Sequence, residues 1–461
     1  METATTSAPR LMIAGLGSGA GKTTVAAGIA GALRHRGLEV ATFKAGPDFL
    51  DPHVLGSAAG SPTRNLDLWL VPPAQVRQDF ARAAPRGRRG ISVVEGVMGV
   101  LDGTTWGTSS WDIARLLGLP VVLVLDASAS SETLAVQARG ARELLGTSRL
   151  AGVIVNRAGR GWHSTTVRRA VEERAKVPVL GVLPWQPEAI LPERNLGLKT
   201  PRTDPGAGLE RRVQALADLV EAHVDLQGVL RIARTTRPLP RVRRGHDGDA
   251  RGSASTSVVA VASDAAFCFV YPESLEALKR VGARVRRFSP LKGDRVPSGA
   301  DALYLPGGYP ELHGRQLARN EPLKRELRSW VRDGRPLLAE CGGMMYLLER
   351  MTDLEGARHR MVGAFPGSTS LSPRLGGFGY VEARATRAGL LGPRGTTVRG
   401  HLYHHSAREA PRGYPWGLSL TRRAGGPLLH DGYVQGRVLA SYLHVRLDTV
   451  PSLLRGLVEA T

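Results

Sequence analysis

Short apolar runs alternate with longer amphipathic stretches through the first half of the chain. Residues 11–15 form an apolar run that leads into a glycine-rich loop, and residues 23–35 follow with a helical pattern. Further short runs are rich in β-branched residues and bounded by turn formers, as buried parallel strands are. They are residues 91–94, 121–125, 153–155 and 179–183, with helical stretches at 133–145 and 163–176. This alternation predicts an α/β domain with a parallel sheet.

The pattern breaks between residues 236 and 256, where the chain is rich in Arg, Gly, Pro and Ser and has no apolar period. Such a composition is typical of a linker. A second alternation of strands and helices then begins, with apolar runs at residues 258–261, 302–305, 336–339 and 438–442. The sequence therefore predicts a first α/β domain over residues 1–235, a linker over 236–256 and a second α/β domain over 257–461.

Composition agrees with two soluble domains. With 461 residues, 42% of them hydrophobic, the chain is long enough for two cores. No apolar run reaches the roughly eighteen residues of a membrane span, and residues 1–10 lack the apolar core of a signal peptide. We therefore expect a cytoplasmic protein. Its two cysteines, Cys268 and Cys341, lie far apart and outside any zinc-binding pattern, which excludes a disulfide framework and leaves room for one reactive thiol.

The chain carries 62 basic and 41 acidic residues, a formal net charge of +21. A nucleic-acid binder would gather this charge in one patch with interleaved aromatics. Here aromatics are 5% of the chain, and the arginines are scattered over both halves. The excess fits an arginine-rich solvated surface, and it would also raise the local concentration of a polyanionic small substrate. We expect no nucleic-acid partner.

A glycine-rich loop at residues 15–24, with the sequence GLGSGAGKTT, lies between the first strand and the first helix. This is the context of a phosphate-binding P-loop, in which glycines let backbone N–H groups surround the phosphates, Lys22 reaches the terminal phosphates and the Thr23 hydroxyl binds Mg²⁺. Leu16 stands where the common pattern has its first glycine. A merely glycine-rich turn is disfavoured by the GKTT ending and by the flanking strand and helix. The residues expected to bind the nucleotide are Gly17, Gly19, Gly21, Lys22, Thr23 and Thr24.

Two acidic segments follow the P-loop, each at or just beyond the end of a predicted strand. The first is KAGPDFLDP at residues 44–52, and the second is EGVMGVLDG at residues 95–103. Open α/β sheets bind ligands at this edge, so carboxylates there can hold Mg²⁺ with the nucleotide or position the acceptor. Alternatively, Asp48, Asp51 and Asp102 are turn formers beside Gly and Pro. The occurrence of two such segments after a P-loop favours the functional interpretation.

Residues 336–345 have the pattern of a buried strand, a sharp turn and a helix, with Cys341 at the turn. A cysteine at such a corner lies at a helix N-terminus, where the helix dipole is expected to lower the thiol pKa. The arrangement resembles the nucleophile elbow of class I glutamine amidotransferases. Residues 305–311 resemble the turn of that fold whose N–H groups, here from Gly307 and Gly308, stabilise the oxyanion.

A nucleophilic cysteine needs a base, and His444 ends the last predicted strand, where this fold class carries its catalytic histidine. The competing candidates are His401, His404 and His405. Many class I glutaminases have Glu two residues after the histidine, but here that residue is Arg446. The third member of the triad is therefore absent or comes from elsewhere. Cys268, inside an apolar stretch, is expected to be a packed thiol.

Taken together, the two halves resemble the cobyrinic acid a,c-diamide synthases, including the enzymes that act on hydrogenobyrinic acid. The resemblance covers nearly the whole chain, and it rests on the order and number of short motifs. They are SGAGKTT, FKAGPDFLDP, NLDLW, VEGVMGVLDG, GVIVNR, LPERNLGL, DAAFCFVYPESLEAL, FSPL, PGGYPELH, AECGGMMYL, RGHLYHHS and SYLH. The resemblance implies a dethiobiotin-synthetase-like P-loop NTPase domain followed by a flavodoxin-like class I glutamine amidotransferase domain.

The activity that the resemblance implies is ATP- and glutamine-dependent amidation of the a and c acetate side chains of a corrin, through acyl phosphates, in cobalamin biosynthesis. ATP and Mg²⁺ are the implied cofactors, glutamine and a polycarboxylate tetrapyrrole are the implied ligands, and a homodimer is compatible with this activity. By position, Lys22 would handle the nucleotide, and Cys341 with His444 would hydrolyse glutamine. The metal ligands would be Thr23, Glu95 and Asp48, and the substrate-binding residues would be Asp48, Phe49, Leu50 and Asp102.

The chain departs from the family pattern at a few positions. Phe49 stands where Tyr is usual and Asn195 where His is usual, both in segments associated with ATP or macrocycle contact. A related family amidates nickel-sirohydrochlorin, and these changes leave that substrate open. Cobyric acid synthase, with a similar domain order, is disfavoured by the GPDFLDP and VLDG segments. A deviant-Walker partitioning ATPase is disfavoured by the AECGG segment and by Gly17, where such ATPases carry a signature lysine.

Overall fold

One parallel sheet forms the centre of the first half of the chain. The computed structural model describes residues 9–87, 89–147, 149–186, 208–239 and 257–459. Of these, the residues up to 239 form one unit and those from 257 form a second. The first unit contains strands β1 (Arg10–Gly15), β2 (Glu39–Ala45), β3 (Arg64–Leu66), β4 (Gly90–Glu95), β5 (Val121–Asp126), β6 (Leu150–Ala158) and β7 (Val179–Pro184). They lie in the order β3-β2-β4-β1-β5-β6-β7, and every neighbouring pair is parallel.

Helices connect these strands. They are α1 (Lys22–His35), α2 (Asp51–Ala59), α3 (Pro73–Ala83), α4 (Ser110–Leu117), α5 (Leu134–Leu145), α6 (Trp162–Ala170), α7 (Gly208–His223) and α8 (Leu226–Ala233). Every residue of β1 and β4 is buried, so both faces of the sheet are covered, which explains why these strands are almost continuously apolar. The predicted parallel α/β sheet is confirmed.

The predicted elements of this half differ from the observed ones in several places, and β2 was not among the predicted strands. The edge strand β3 was not predicted, because three residues are too few to show a pattern. The predicted helix over 163–176 is divided, since α6 ends at Ala170 and a π-helical turn, Val171–Ala175, follows it. The loops after β1, β2 and β4 emerge side by side, because these strands are parallel neighbours. That adjacency brings the P-loop and both acidic segments to one edge of the sheet.

A mixed sheet forms the centre of the second unit, and two smaller sheets accompany it. The strands are β8 (Val258–Ala262), β9 (Arg284–Phe288), β10 (Ala302–Leu305), β11 (Leu337–Glu340), β12 (Arg350–Thr352), β13 (Arg358–Arg360), β14 (Ser368–Leu371), β15 (Gly377–Ala385), β16 (Thr397–His404), β17 (Ser406–Glu409), β18 (Leu418–Arg422), β19 (Leu429–Asp431), β20 (Tyr433–Gln435) and β21 (Val438–Ser441). The helices are α9 (Pro272–Arg280), α10 (Gly314–Arg319), α11 (Glu321–Arg332), α12 (Gly342–Leu347) and α13 (Pro451–Val458).

The six-stranded sheet has the order β20-β21-β11-β10-β8-β9 and is parallel except for the pair of β20 and β21. The four apolar runs predicted in this half lie in β8, β10, β11 and β21, which confirms the α/β character of the second unit. The smaller sheets, β13-β12-β14-β17 and β16-β15-β18-β19, were not predicted. Several of their strands are short and polar, such as β13 (RHR) and β14 (STSL), so no apolar pattern marks them.

Some predictions concern residues that lie outside the described helices and strands. The LPERNLGL segment with Asn195, and most of the predicted linker, lie outside the described residues, and the domain bounds stay predictions. No helix in the described part of the chain is long and apolar enough to cross a membrane.

Close packing of α1 against α7 fixes the helix that follows the P-loop. A Cβ atom added to Gly28 would lie 2.5 Å from Cγ2 of Val220 and 2.7 Å from the carbonyl oxygen of Leu216. The second of these neighbours is backbone, so relief would require the two helices to separate. A glycine is therefore needed at this crossing even though it weakens the helix itself.

We expect Gly28→Ala to lower the free energy of unfolding by about 1–3 kcal/mol, because the methyl group overpacks the contact between α1 and α7. Gly140→Ala is the matched control, since Gly140 is an exposed glycine of α5 with no atom within 4 Å of the added Cβ. There the higher helix propensity of Ala should stabilise the helix by about 0.5–1 kcal/mol. Denaturant midpoints of the two variants and the wild type test this. Equal midpoints for the two variants would contradict the packing argument.

Candidate functional site

The P-loop connects β1 to α1 through two glycines with left-handed backbone. Gly19 has φ of 80° and Gly21 has φ of 90°, a region that favours glycine. A Cβ atom on Gly21 would lie 2.0 Å from the side-chain nitrogen of Asn156, so the position has no room for a larger residue. No side chain caps the N-terminus of α1. The loop therefore presents backbone N–H groups and the positive end of the helix dipole, which is the arrangement that binds phosphate.

The two side chains that end the P-loop motif lie where phosphate chemistry needs them. Lys22 folds back over the loop, and its Nζ donates to the carbonyl oxygen of Gly17 at 2.8 Å. The hydroxyl of Thr23 donates to Oε1 of Glu95 at 2.8 Å. Thr24 lies beside them in the first turn of α1. The structure thus brings together Thr23 and Glu95, two predicted metal ligands that are far apart in sequence.

Glu95 is fully buried and shares a lysine with a second carboxylate. Nζ of Lys44 lies 2.9 Å from Oε1 of Glu95 and 2.6 Å from Oδ2 of Asp51. Burial raises the pKa of Glu95 to about 7, and the charge of Asp51 adds to that rise, while Lys44 and Thr23 act in the opposite direction. Lys44 had no predicted role, although its position near the end of β2, in the first acidic segment, indicated that it lies at this site.

The oxygen donors at this site suit a magnesium ion that is bound together with a nucleotide. In the described part of the chain, no three His, Cys, Asp or Glu side chains form a group that could hold a metal by themselves. P-loop sites need fewer protein ligands, because one hydroxyl and one carboxylate act with phosphate oxygens and water. Oε2 of Glu95 is buried and accepts no hydrogen bond from the described residues. Thr23 and Glu95 therefore fit the predicted role, which remains a prediction.

Asp48 and Asp102 each bind the backbone of their own loop. Oδ1 of Asp48 accepts hydrogen bonds from the N–H groups of Leu50 at 2.7 Å and Asp51 at 3.3 Å. Oδ2 of Asp102 accepts one from the N–H of Gly99 at 2.7 Å. The turn-forming role that the sequence left open is therefore real for both residues. It does not exclude a ligand-binding role for them.

The loops that carry these aspartates adjoin the P-loop. The N–H of Val100 donates to the carbonyl oxygen of Gly15 at 2.8 Å, which ties the second acidic segment to the P-loop. A Cβ atom on Gly46 would lie 3.4 Å from both methyl carbons of Val97, so the first acidic segment contacts the second. Asp102 is exposed, while Asp48, Phe49 and Leu50 are partly buried. The substrate-binding role of these four residues remains a prediction.

In the second unit, Cys341 lies at a sharp corner between β11 and α12. Its φ of 44° and ψ of −102° are strained for a residue with a side chain. Its N–H donates to the carbonyl oxygen of Ser441 at 2.7 Å. A Cβ atom on Gly343 would lie 2.0 Å from the carbonyl oxygen of Leu305, so α12 begins tightly against the end of β10. The predicted elbow geometry is present.

The predicted lowering of the Cys341 thiol pKa is wrong in its net direction. Burial raises the pKa of this thiol well above its usual range, and the carboxylate of Glu311 adds to the rise. The N–H of Gly342 acts in the opposite direction but is outweighed, because desolvation is the largest effect. Burial also raises the pKa of Glu311 to about 7. The thiol is therefore protonated at neutral pH, and its attack requires a base.

His444 and the glycine turn converge on the cysteine corner. His444 is 1% exposed and follows β21, the strand that pairs with β11. A Cβ atom on Gly307 would lie 2.5 Å from Cε1 of His444, and one on Gly342 would lie 3.1 Å from the backbone nitrogen of Gly308. The turn that was predicted to supply the oxyanion N–H groups thus contacts both the histidine and the helix that starts after Cys341.

The rival histidines make contacts of their own, and the ring of His401 also stacks on that of His444. Nε2 of His401 lies 2.8 Å from the hydroxyl of Tyr271, and burial lowers the pKa of His401 well below its usual value. Nδ1 of His404 lies 2.9 Å from the carbonyl oxygen of Ser406, and burial lowers the pKa of His404 to about 4. The ring of His405 packs edge-on against Tyr403. The geometry therefore favours His444 as the base.

A second residue that the sequence analysis did not assign is Glu340, which directly precedes Cys341. Its carboxylate is 2% exposed and accepts hydrogen bonds from the Tyr304 hydroxyl at 2.8 Å and the Val445 N–H at 3.1 Å. Its Oε2 lies 3.7 Å from Nδ1 of His444. Cys268 is buried, as expected for a packed thiol.

Comparison with known proteins identifies both domains. Residues 11–198 match the family described as the CobQ/CobB/MinD/ParA nucleotide binding domain, and residues 258–451 match the CobB/CobQ-like glutamine amidotransferase domain. The first domain implies use of a nucleotide, and the second implies use of glutamine. These matches confirm the predicted pairing of a P-loop domain with a glutamine amidotransferase domain.

Relatives match nearly the whole chain. The cobyrinate a,c-diamide synthase of Dehalococcoides mccartyi strain CBDB1 is 37% identical over 457 residues, covering 98% of each chain. The enzyme of that name from Syntrophotalea carbinolica is 38% identical over 463 residues, also covering 98% of each. The hydrogenobyrinate a,c-diamide synthase of Stutzerimonas stutzeri is 38% identical over 455 residues, covering 96% of each. This chain therefore belongs to the cobyrinate a,c-diamide synthase family of glutamine-dependent ligases.

Proposed function

We propose that this enzyme amidates the a and c acetate side chains of a corrin, cobyrinic or hydrogenobyrinic acid, with ATP and glutamine. The observation that carries the proposal is the presence of two sets of chemical groups in one chain, one suited to phosphoryl transfer and one to glutamine hydrolysis. The first unit has a P-loop with Thr23 hydrogen-bonded to Glu95. The second has a strained cysteine corner contacted by a glycine turn and flanked by a buried histidine.

In the proposed glutaminase reaction, the sulfur of Cys341 attacks the side-chain amide of glutamine while His444 takes the thiol proton. The N–H groups of Gly307 and Gly308 stabilise the oxyanion that develops on the amide oxygen. His444 then gives its proton to the departing nitrogen, which leaves as ammonia. Water hydrolyses the remaining thioester to glutamate and restores the thiol.

In the proposed synthetase reaction, N–H groups of residues 17–21 and the ammonium group of Lys22 hold the phosphates of ATP. An acetate oxygen of the macrocycle attacks the γ-phosphorus, the bond to the β-phosphate oxygen breaks, and an acyl phosphate and ADP form. Ammonia then displaces inorganic phosphate and forms the amide. Thr23 and Glu95, with Asp48 as a further predicted ligand, would hold Mg²⁺, which neutralises phosphate charge when bound.

The acceptor in this proposal is a polycarboxylate. The formal net charge of +21 produces a field that attracts such a substrate. Asp102 is exposed on a loop that adjoins the P-loop, so it would orient the acceptor or the activated carboxyl, with Asp48, Phe49 and Leu50 on the neighbouring loop. We also propose that the enzyme is cytoplasmic and has no nucleic-acid partner.

We expect Cys341→Ala to abolish amidation supported by glutamine and to leave amidation supported by ammonium salt intact, because the thiol is needed only to release ammonia. Lys22→Ala is the matched comparison and should abolish both activities, since no acyl phosphate forms without the phosphate ligand. Product masses with cobyrinic, hydrogenobyrinic and nickel-sirohydrochlorin substrates give the measurement and also identify the macrocycle. Loss of both activities in a folded Cys341→Ala protein would contradict the division of chemistry between the units.

We expect binding of magnesium-ATP to weaken below pH 7. The pKa of Glu95 is raised to about 7, so the carboxyl is neutral below that pH and ionised above it. Between pH 8 and pH 6 the ionised fraction falls about tenfold, and affinity should fall by up to that factor. The groups that face Glu95 are Lys44, Asp51 and Thr23. In Glu95→Gln the affinity should be low throughout and should retain only the pH dependence of ATP itself. Calorimetric titration of both proteins tests this, and parallel pH curves would refute it.

We expect Asp102→Asn to leave nucleotide binding intact but to slow amidation by a factor of ~10², as misplacement of a reacting group can do. The amide keeps an oxygen that can accept the Gly99 N–H, so the loop should survive the substitution. The product masses should show an increased ratio of monoamide to diamide over time. Wild-type rates together with a wild-type product ratio would remove Asp102 from the acceptor site.

A further inference from the structure

Glu340 places a buried carboxylate at the end of β11, next to the residues of the proposed glutaminase site. Glu340 ends β11, directly before Cys341, and pairs in register with Ser441 of β21. Its Oε1 accepts the Val445 N–H at 3.1 Å, and its Oε2 accepts the Tyr304 hydroxyl at 2.8 Å. Nδ1 of His444 is 3.7 Å from Oε2. The carboxylate thus bonds Tyr304 of β10 and the segment that follows β21, and it faces the histidine ring from the side of Nδ1.

The chemistry of the site requires a negative charge in this position. Cys341 holds its proton because the thiol is buried, so attack on glutamine must transfer that proton to His444. The ring of His444 is itself 1% exposed, and a charged imidazolium there would be costly without a nearby counter-charge. With Nδ1 turned toward Glu340, Nε2 lies on the other side of the ring and is the nitrogen that would take the proton.

The residue at the usual position cannot supply that charge. Many class I glutaminases have a glutamate two residues after the histidine, whereas this chain has Arg446. The guanidinium of Arg446 is paired with Asp448 through Nε at 3.0 Å and Nη2 at 2.6 Å. The carboxylate of Asp448 is therefore neutralised by the guanidinium of Arg446.

We propose that Glu340 replaces the missing third member of the glutaminase triad, orienting the His444 ring and stabilising its protonated form while Cys341 attacks the amide of glutamine. The inference rests on the proposed glutaminase activity of this unit. One proton moves from the sulfur to Nε2 of His444, and Glu340 itself takes no proton in this step. Glu340 is a positioning residue, since it acts through His444 rather than on glutamine. The distance of 3.7 Å is longer than a hydrogen bond, and such contacts commonly shorten once substrate binds.

The test compares three variants of the full-length protein. Glu340→Gln keeps the shape and an oxygen for the Val445 N–H but removes the charge. Glu340→Asp keeps the charge on a shorter side chain. Tyr304→Phe is the matched control, because it removes the other side-chain partner of Oε2 and leaves the carboxylate beside His444. For each, kcat and KM for glutamate release are measured, together with amidation supported by ammonium salt and the rate of inactivation by a diazoketone analogue of glutamine.

We expect Glu340→Gln to lower kcat for glutamate release by a factor of ~10², the usual effect of losing one preorganised electrostatic contact. KM for glutamine and ammonium-supported amidation should change little, and inactivation by the diazoketone should slow in step with kcat. Glu340→Asp should recover part of the loss, and Tyr304→Phe should stay close to wild type. That pattern separates a charge effect from a structural one.

Two results would overturn the proposal. One is a wild-type kcat in Glu340→Gln. The other is an equal loss in Glu340→Gln, Glu340→Asp and Tyr304→Phe, which would mean that the carboxylate only joins the strands. If Glu340→Gln does not fold, Glu340→Asp and Tyr304→Phe are compared instead, and an equal loss of kcat in these two variants overturns the proposal. Failure of the proposed glutaminase function would give a different result from failure of the Glu340 proposal. In that case the wild-type protein itself would neither release glutamate nor react with the diazoketone.

Discussion

Removal of ionisable groups from water at the ends of the central strands is the constraint on which both sites depend. In the first unit, Glu95 is fully buried and is held by the hydroxyl of Thr23 and the ammonium group of Lys44. In the second, the thiol of Cys341 and the ring of His444 are buried beside Glu340. A buried charge is costly unless a partner offsets it. The partners therefore fix where each functional group lies, and they also set its protonation.

Close backbone approach is the second requirement, and glycine meets it in both units. Gly21 leaves room for the side chain of Asn156, and Gly343 leaves room for the carbonyl oxygen of Leu305. Gly307 leaves room for the ring of His444. A side chain at any of these positions would separate two elements that must touch. The glycines of the motifs thus act through the space they leave as well as through the backbone angles they allow.

Much of this arrangement could be predicted from the chain, and the failures have physical causes. The P-loop, Glu95, Cys341 and His444 were identified because each follows an apolar strand, where a parallel sheet places its ligands. Lys44 and Glu340 were overlooked because a charged residue at a strand end looks like a solvated one until burial is known. The pKa of Cys341 was misjudged for a related reason, since the short helix α12 was weighed without the desolvation that opposes it. Strands such as β13 and β14 are too short and polar to show an apolar pattern, whereas the apolar alternation of β15 and β18 was overlooked.

The direction of the thiol pKa has a consequence for how the two reactions are joined. A thiolate that existed without glutamine would be a strong nucleophile open to oxidation or alkylation at all times. A protonated thiol reacts only when a base, an electrophilic amide and the oxyanion N–H groups are in place, because the charges on sulfur, oxygen and the base then form together. Glutamine binding, rather than the resting ionisation of Cys341, would therefore control the release of ammonia. In the proposed reactions, ammonia is the nitrogen donor to the acyl phosphate, so control of its release at Cys341 would also control the supply of nitrogen.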